Sequence, residues 1–290
     1  MMNQMRTRFC QLVAATVAAS ILWGCSGPAP SETKKAEAKP GTPVTPPADR
    51  KYLLERVDDA AVVQLYADGF VSLPLKEKTL IWHLTQAALA GRDIFIDQKH
   101  ASALEMRGIL EQIIIHPEGV DAATLADVQR YTKLFWINNG PYNNLTARKF
   151  VLTCTPKAFA DAAKASAKAG AKFAGRPGES LDAQLARLQP MFFDAAVDPI
   201  VTNKTPGAGQ DILRASANNL YSGVGMADLK GFTEKHGLNS RLVKTNGKLV
   251  EEVYKIKGRY GKQIGEIIKH LDAAEAFAPP PMAKALSALE

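Results

Sequence analysis

Cysteine is scarce in this chain, at three residues in 290, and the scarcity excludes a disulfide framework. Cys10 lies within an N-terminal apolar segment and Cys25 closes it, so Cys154 is left without a partner for an internal bridge. Cys154 is therefore read as a small core residue and not as a nucleophile. Clusters of one charge are missing as well. The formal net charge of +7 becomes +5 once residues 1–24, with Arg6, Arg8 and no acid, are set aside. That surplus is spread along the chain without interleaved aromatics, which argues against nucleic acid as a partner.

The motifs of common chemistries are absent too. A zinc peptidase usually carries His-Glu-x-x-His, because two imidazoles one helical turn apart converge on one metal. The five histidines here are His83, His100, His116, His236 and His270, and none is followed by Glu or placed one turn from another. There is no Gly-x-Ser-x-Gly elbow and no Gly-x-x-x-x-Gly-Lys-Ser/Thr loop, and Gly223-Val224-Gly225 lacks the third glycine of a dinucleotide turn. Asp93, Asp97 and Glu105 sit near expected helix ends, where carboxylates are solvated or ion-paired. His83, on an apolar helix, reads as an interhelical or core histidine, and the other four as loop or helix-end residues. Spacing alone names no catalytic residue and no metal ligand.

What is present begins with an address. Arg6 and Arg8 precede an apolar run from Phe9 to Trp23, too short to span a bilayer comfortably. Leu22-Trp23-Gly24-Cys25 resembles a bacterial lipobox, with Trp23 where a small residue is usual. Residues 1–25 are thus expected to be a lipoprotein signal peptide, with Cys25 lipidated and anchoring the chain to a membrane of the bacterial cell envelope, facing the periplasm or the exterior. An ordinary secretory signal with an incidental cysteine is the alternative. Residues 26–50 contain six prolines among Lys, Ala, Glu and Thr, a composition that reads as a flexible tether. The folded part is expected over residues 51–290.

Within it, apolar residues at three- and four-residue spacing predict helices over Tyr52 to Tyr66, Pro74 to Gln98, Ser102 to His116 and Ala122 to Trp136. Asp121 and Thr155 are expected N-caps, the latter with Pro156 in the first turn. Residues 173–180 and 203–210, rich in Gly and Pro, are expected loops. A helix over Met226 to His236 precedes Ser240 to Lys244 and Lys248 to Ile256, two strand-like runs joined by Asn246-Gly247, the strongest short hairpin signal. A helix from Tyr260 to Phe277 stops at Pro279, Pro280 and Pro281. Met282, Leu286 and Leu289 then mark the apolar stripe of a helix too short to stand alone. The fold class is α+β, predominantly α-helical with a small antiparallel β element.

Three blocks carry a family resemblance. They are Trp82 to Gln98, with Thr85-Gln86-Ala87-Ala88-Leu89-Ala90-Gly91-Arg92-Asp93-Ile94 at its centre; Phe135 to Asn144, followed by Lys149-Phe150-Val151; and Gly237-Leu238-Asn239-Ser240-Arg241-Leu242-Val243-Lys244, continuing to Glu251. Together they resemble bacterial members of the dipeptidyl peptidase III family of zinc metallopeptidases. The resemblance implies part of the β-barrel-containing lobe of a two-lobed hydrolase that removes dipeptides from peptide N-termini. It implies zinc in the complete member, held by His-Glu-x-x-Gly-His and a later Glu, whereas this sequence contains no such motif. It implies a peptide substrate, the catalytic lobe as a missing partner, and a chain that is the front, peptide-binding part of a longer enzyme and inactive alone. The substrate-binding residues it suggests are Asn139, Gly140, Tyr142 and Asn143. The same residues equally suit the end of a helix, since Asn and Gly favour a left-handed cap. The alternative function is a complete non-catalytic envelope lipoprotein that serves as a peptide-binding or scaffold module.

Overall fold

The computed structural model describes residues 49–289, so the expected signal peptide, Cys25 and nearly all of the tether lie outside the described residues. Arg50, the last residue of the expected tether, is already fastened: its guanidinium grips Asp68 through two bonds of 2.5 and 2.6 Å and lies over the Tyr66 ring.

The first elements depart from expectation. Where a helix was expected over Tyr52 to Tyr66, strands β1 (Leu53–Val57) and β2 (Ala60–Val63) form an antiparallel hairpin. Asp58 turns the chain with φ of 52°, a value that aspartate tolerates better than most residues. The β-branched Val57, Val62 and Val63 favour the pleated form, and their spacing fits either period over so short a run.

Five helices follow: α1 (Leu75–Lys99), α2 (Ala103–Ile115), α3 (Ala122–Asn138), α4 (Pro156–Lys168) and α5 (Leu181–Phe193). The expected caps are in place. The Asp121 carboxylate accepts the Thr124 N–H at 2.9 Å, and the Thr155 hydroxyl accepts the Ala158 N–H at 3.1 Å ahead of Pro156. Helix α5 was not expected; Ser180 starts it by accepting the Ala183 N–H. The main core lies among α2 to α5, where Ile109, Leu110, Tyr131, Phe135, Phe159 and Phe192 are fully enclosed. Phe192 meets Phe159 at 4.8 Å and Tyr131 at 6.0 Å between ring centroids. Burying each such side chain contributes roughly 1.5–3 kcal/mol.

The Asn-Gly hairpin forms as expected. Asn246 and Gly247, at φ of 50° and 78°, join β4 (Ser240–Thr245) to β5 (Lys248–Val253), and β3 (Tyr221–Ser222) adds to β4 in parallel. Residues 226–236 hold no α-helix. Short 3-10 turns cover Met226–Leu229 and Gly237–Asn239, and Gly231 at φ of 79° interrupts the stretch between them. Helices α6 (Gly261–Glu275) and α7 (Pro280–Ser287) complete the described chain. The prolines that end α6 also start α7, since proline fits a first helical turn. Of the expected stripe only Leu286 is buried, against Leu80, Ala274 and Ala278, while Met282 and Leu289 are exposed.

One buried carboxylate joins these parts. Asp97 of α1 accepts bonds from the Arg259 guanidinium, from the Tyr260 hydroxyl at 2.6 Å and from the Asn219 carboxamide at 3.2 Å. Arg241 of β4 extends the set, reaching Asn219 Oδ1 and Glu252 at 2.6 Å each.

Two outcomes are expected. Phe192→Ala should lower the unfolding free energy by about 3–5 kcal/mol in urea titrations, because it empties a close-packed aromatic cluster. Glu179, bonded by Arg187, is held at about 2 in place of its ordinary 4.5. A carboxyl so lowered stabilises the fold above 4.5, and the contribution fades as pH falls toward 2. Arg187→Gln should flatten that part of a stability-versus-pH curve.

Candidate functional site

The end of α3 is built from asparagines. Asn138 is buried, donates to the Leu134 carbonyl at 2.8 Å and accepts the Asn144 N–H at 2.9 Å, so it ties the helix end to the loop beyond. Asn139 adopts the left-handed conformation, its N–H reaching the Trp136 carbonyl while the Gly140 N–H reaches that of Phe135 at 2.9 Å. This is the paired-bond helix ending in which residues of positive φ are favoured. Gly140 continues it at φ of 147°, and a Cβ there would lie 3.0 Å from Lys99 Cδ. The cap uses only backbone groups, which leaves the Asn139 carboxamide outside it.

The other residues of the loop serve the fold. Tyr142 is enclosed, its hydroxyl donating to the Asp198 carbonyl at 3.0 Å, and burial pushes that hydroxyl far above the usual tyrosine range. Asn143 accepts the Leu145 and Thr146 N–H groups at 2.8 and 3.0 Å, shaping the turn. Lys99, at the end of α1, donates to the Asn138 carbonyl and the Asn144 side chain and lies 4.9 Å over the Phe95 ring. Burial pushes its amine down to about 8. Among the four residues suggested by resemblance, then, Asn139 keeps a polar side chain free of the local turn, whereas Gly140 and Tyr142 are buried.

Asn139 borders a shallow concavity lined by Arg92 and Ile96 of α1, Arg107 and Glu111 of α2, and Trp136 of α3. Arg107 donates to Asp93 at 2.8 Å, and the Trp136 indole donates to Glu111 at 3.0 Å. These bonds leave the Trp136 ring about half exposed, at 49%, and Arg92 facing solvent. A guanidinium, a carboxamide and an indole face side by side suit a ligand with carbonyl or carboxylate oxygens and an apolar side chain.

The acids and the thiol have settled partners. Asp93 pairs with Arg107 and Glu105 with Arg187, as expected of carboxylates near helix ends. Burial alone would raise the Asp127 carboxyl, yet the Cys154 and Thr153 N–H groups and Arg130 hold it below its ordinary value. Burial and the neighbouring Asp127 push the Cys154 thiol up to about 12, where little thiolate exists.

The histidines fall in four places. His100 accepts the Ser102 N–H and lies 3.2 Å from Asp198, His116 ends α2, and His236 lies 3.8 Å from Glu251. His270 is inside α6 and not at a helix end; its Nδ1 lies 3.2 Å from that of His83 on α1, an interhelical contact across 187 residues. Among the described residues no three His, Cys, Asp or Glu side chains gather as a ligand set. The Lys99 amine and the His83–His270 contact had no sequence signal beyond a basic residue at a helix end and single histidines on apolar helices.

No protein-family profile matches the chain, and no curated protein sequence matches it. Among solved structures it is similar to DPP III from Caldithrix abyssi, at 20% identity over 76% of this chain, with a TM-score of 0.38. The chain spans 30% of the length of that protein.

The burial of Lys99 yields an expected outcome. Its amine should titrate with a midpoint of about 8 by NMR, where an exposed lysine titrates near 10.5. The folded state then binds fewer protons than the unfolded one between those values, so stability should rise with pH across that window.

Proposed function

We propose that the chain binds peptides at the concavity beside Asn139, as the peptide-binding part of a peptidase of the dipeptidyl peptidase III type, held at the bacterial envelope through lipidated Cys25. The observation that carries this reading is a convergence. Arg92 and Ile96 come from the first block of resemblance and Phe135, Trp136 and Asn139 from the second, and the fold sets them around one concavity. The third block, Gly237 to Glu251, joins the same scaffold through the Arg241–Asn219–Asp97 bonds behind it.

In this reading the Asn139 carboxamide takes one donor and one acceptor of an extended peptide backbone, Arg92 takes a carbonyl or carboxylate oxygen, and Trp136 offers an apolar face to a side chain. Catalysis belongs to a lobe with the His-Glu-x-x-Gly-His motif and its zinc, the partner this chain would hold a substrate for. The sequence contains no such motif, and so the activity assigned to these residues is binding without turnover.

Calorimetric titration with tri- and tetrapeptides tests the proposal. Asn139→Ala should weaken binding about tenfold, close to 1.4 kcal/mol, and Trp136→Ala by at least as much, with circular dichroism unchanged. Equal affinity of wild type and both variants would overturn the site. Dipeptidyl arylamides incubated with the chain and added zinc should release no arylamine.

A further inference from the structure

The contact between His83 of α1 and His270 of α6 has a feature that the peptide site does not use. The two Nδ1 atoms are 3.2 Å apart, while the ring centroids are 5.5 Å apart. An imidazole nitrogen lies about 1.1 Å from its ring centre, from standard ring geometry, so the two nitrogens point almost straight at each other. That is the arrangement of an N–H donating to a bare nitrogen, with one ring as donor and the other as acceptor. It does not suit a shared metal, whose bonds of about 2.0–2.1 Å would require both rings to tilt toward a common point.

The surroundings are aromatic. The Trp82 ring meets both imidazoles edge-on, at 4.7 and 5.6 Å, and Phe277 stacks on His83 at 5.8 Å. No carboxylate forms an ion pair with either imidazole among the described residues, in contrast to His100 with Asp198 and His236 with Glu251. The charged side chains nearest along the packed helices are Glu77 and Lys78 on α1, Glu266, Lys269, Asp272 and Glu275 on α6, and Lys284 on α7, and one Glu275 oxygen is buried without a hydrogen-bond partner. Of these, Glu266 is taken by Lys269 at 3.1 Å.

We propose that His83 and His270 form a proton-operated latch that holds α6, with α7 packed on it, against α1 at neutral pH and releases it in acid. With both rings neutral, one Nδ1–H donates to the other Nδ1. A first added proton leaves a donor and an acceptor, so the bond persists and becomes charge-assisted. A second proton leaves two donors and two positive charges face to face, with no carboxylate at ion-pair distance from either ring. The open state then binds one proton more than the closed state, so by linkage acid favours opening. Imidazole is the side chain whose ordinary titration makes this switch relevant between about pH 5 and 8.

The test is amide hydrogen exchange of the full chain at pH 5.0 and 7.5, each corrected for intrinsic exchange. Protection over Gly261–Glu275 should drop at least tenfold at pH 5.0, with α2 to α5 unchanged. His270→Gln and His83→Gln, which cannot take up the proton, should abolish that pH difference. A difference that persists in both variants overturns the latch. Should the variants misfold, nitrogen NMR of the wild type decides: one protonated and one bare Nδ1 at pH 7.5, with loss of the bridging proton signal on acidification, upholds it. Two Nδ1 atoms that titrate independently overturn it.

Discussion

The Asp97 carboxylate is the constraint on which the described architecture depends. It sits two residues from the end of α1 and receives Asn219, Arg259 and Tyr260, which are 122, 162 and 163 residues away in sequence. Burying a charge is costly unless it is paired and hydrogen-bonded, and each of these groups answers that requirement from a different part of the chain. Asn219 brings the segment before β3, and Arg259 and Tyr260 bring the start of α6. Tyr260 itself has φ of 60°, unusual for so bulky a residue, and its hydroxyl bond to Asp97 is one of the forces that holds it there. Loss of the carboxylate would leave the Arg259 guanidinium with Glu252 alone, at 3.2 Å, and remove the hydroxyl bond that helps hold the Tyr260 backbone.

The same geometry explains what could and could not be read from the sequence. Local signals were legible where the residue type admits one conformation: Asn246-Gly247 at its turn, Asp121 and Thr155 at their caps, Pro156 in a first turn. The hairpin over residues 53–63 was misread as a helix because seven apolar residues in eleven positions satisfy both periods, and only the turn at Asp58 distinguishes them. Residues 226–236 also carry a helical spacing without forming a helix, since Gly231 sits in a conformation that a continuous helix does not contain. The family resemblance named Asn139, whose carboxamide lies outside the helix cap, but also Tyr142, whose hydroxyl is engaged inside the fold. Nothing local distinguishes an aromatic that faces a ligand from one that faces the core. Long-range pairings such as Asp97 with Arg259 and His83 with His270 leave no periodic trace, and only the folded chain brings them together.

The candidate site draws its rigidity from groups that never touch solvent freely. Asn138 bonds forward and backward, Gly140 lies against the Lys99 stem, and Lys99 reaches the loop from α1. Helix α1 therefore supplies both one wall of the concavity and the brace behind its rim. Long Arg and Lys side chains lose much rotamer freedom when ordered on a ligand, so a site with its cap and brace already fixed concentrates that cost on Arg92 and Trp136.

The two attachments of α6 to α1 differ in kind, and the difference decides where the fold yields. At its start, α6 is held through Arg259 and Asp97, an ion pair that involves no imidazole. Near its end, it is held through His270, whose bond to His83 requires a bare nitrogen. Protonation of the imidazoles acts on the second attachment, so in the proposed latch α6 with α7 would turn about the Asp97 end. Arg92, Ile96, Trp136 and Asn139 belong to the layer of α1 and α3 on the stationary side. The motion would uncover the apolar residues around Leu80 and Leu286 while leaving the concavity beside Asn139 assembled. A surface exposed in this way is suited to association with another apolar surface, so acid would alter what the chain docks against without altering what its concavity binds.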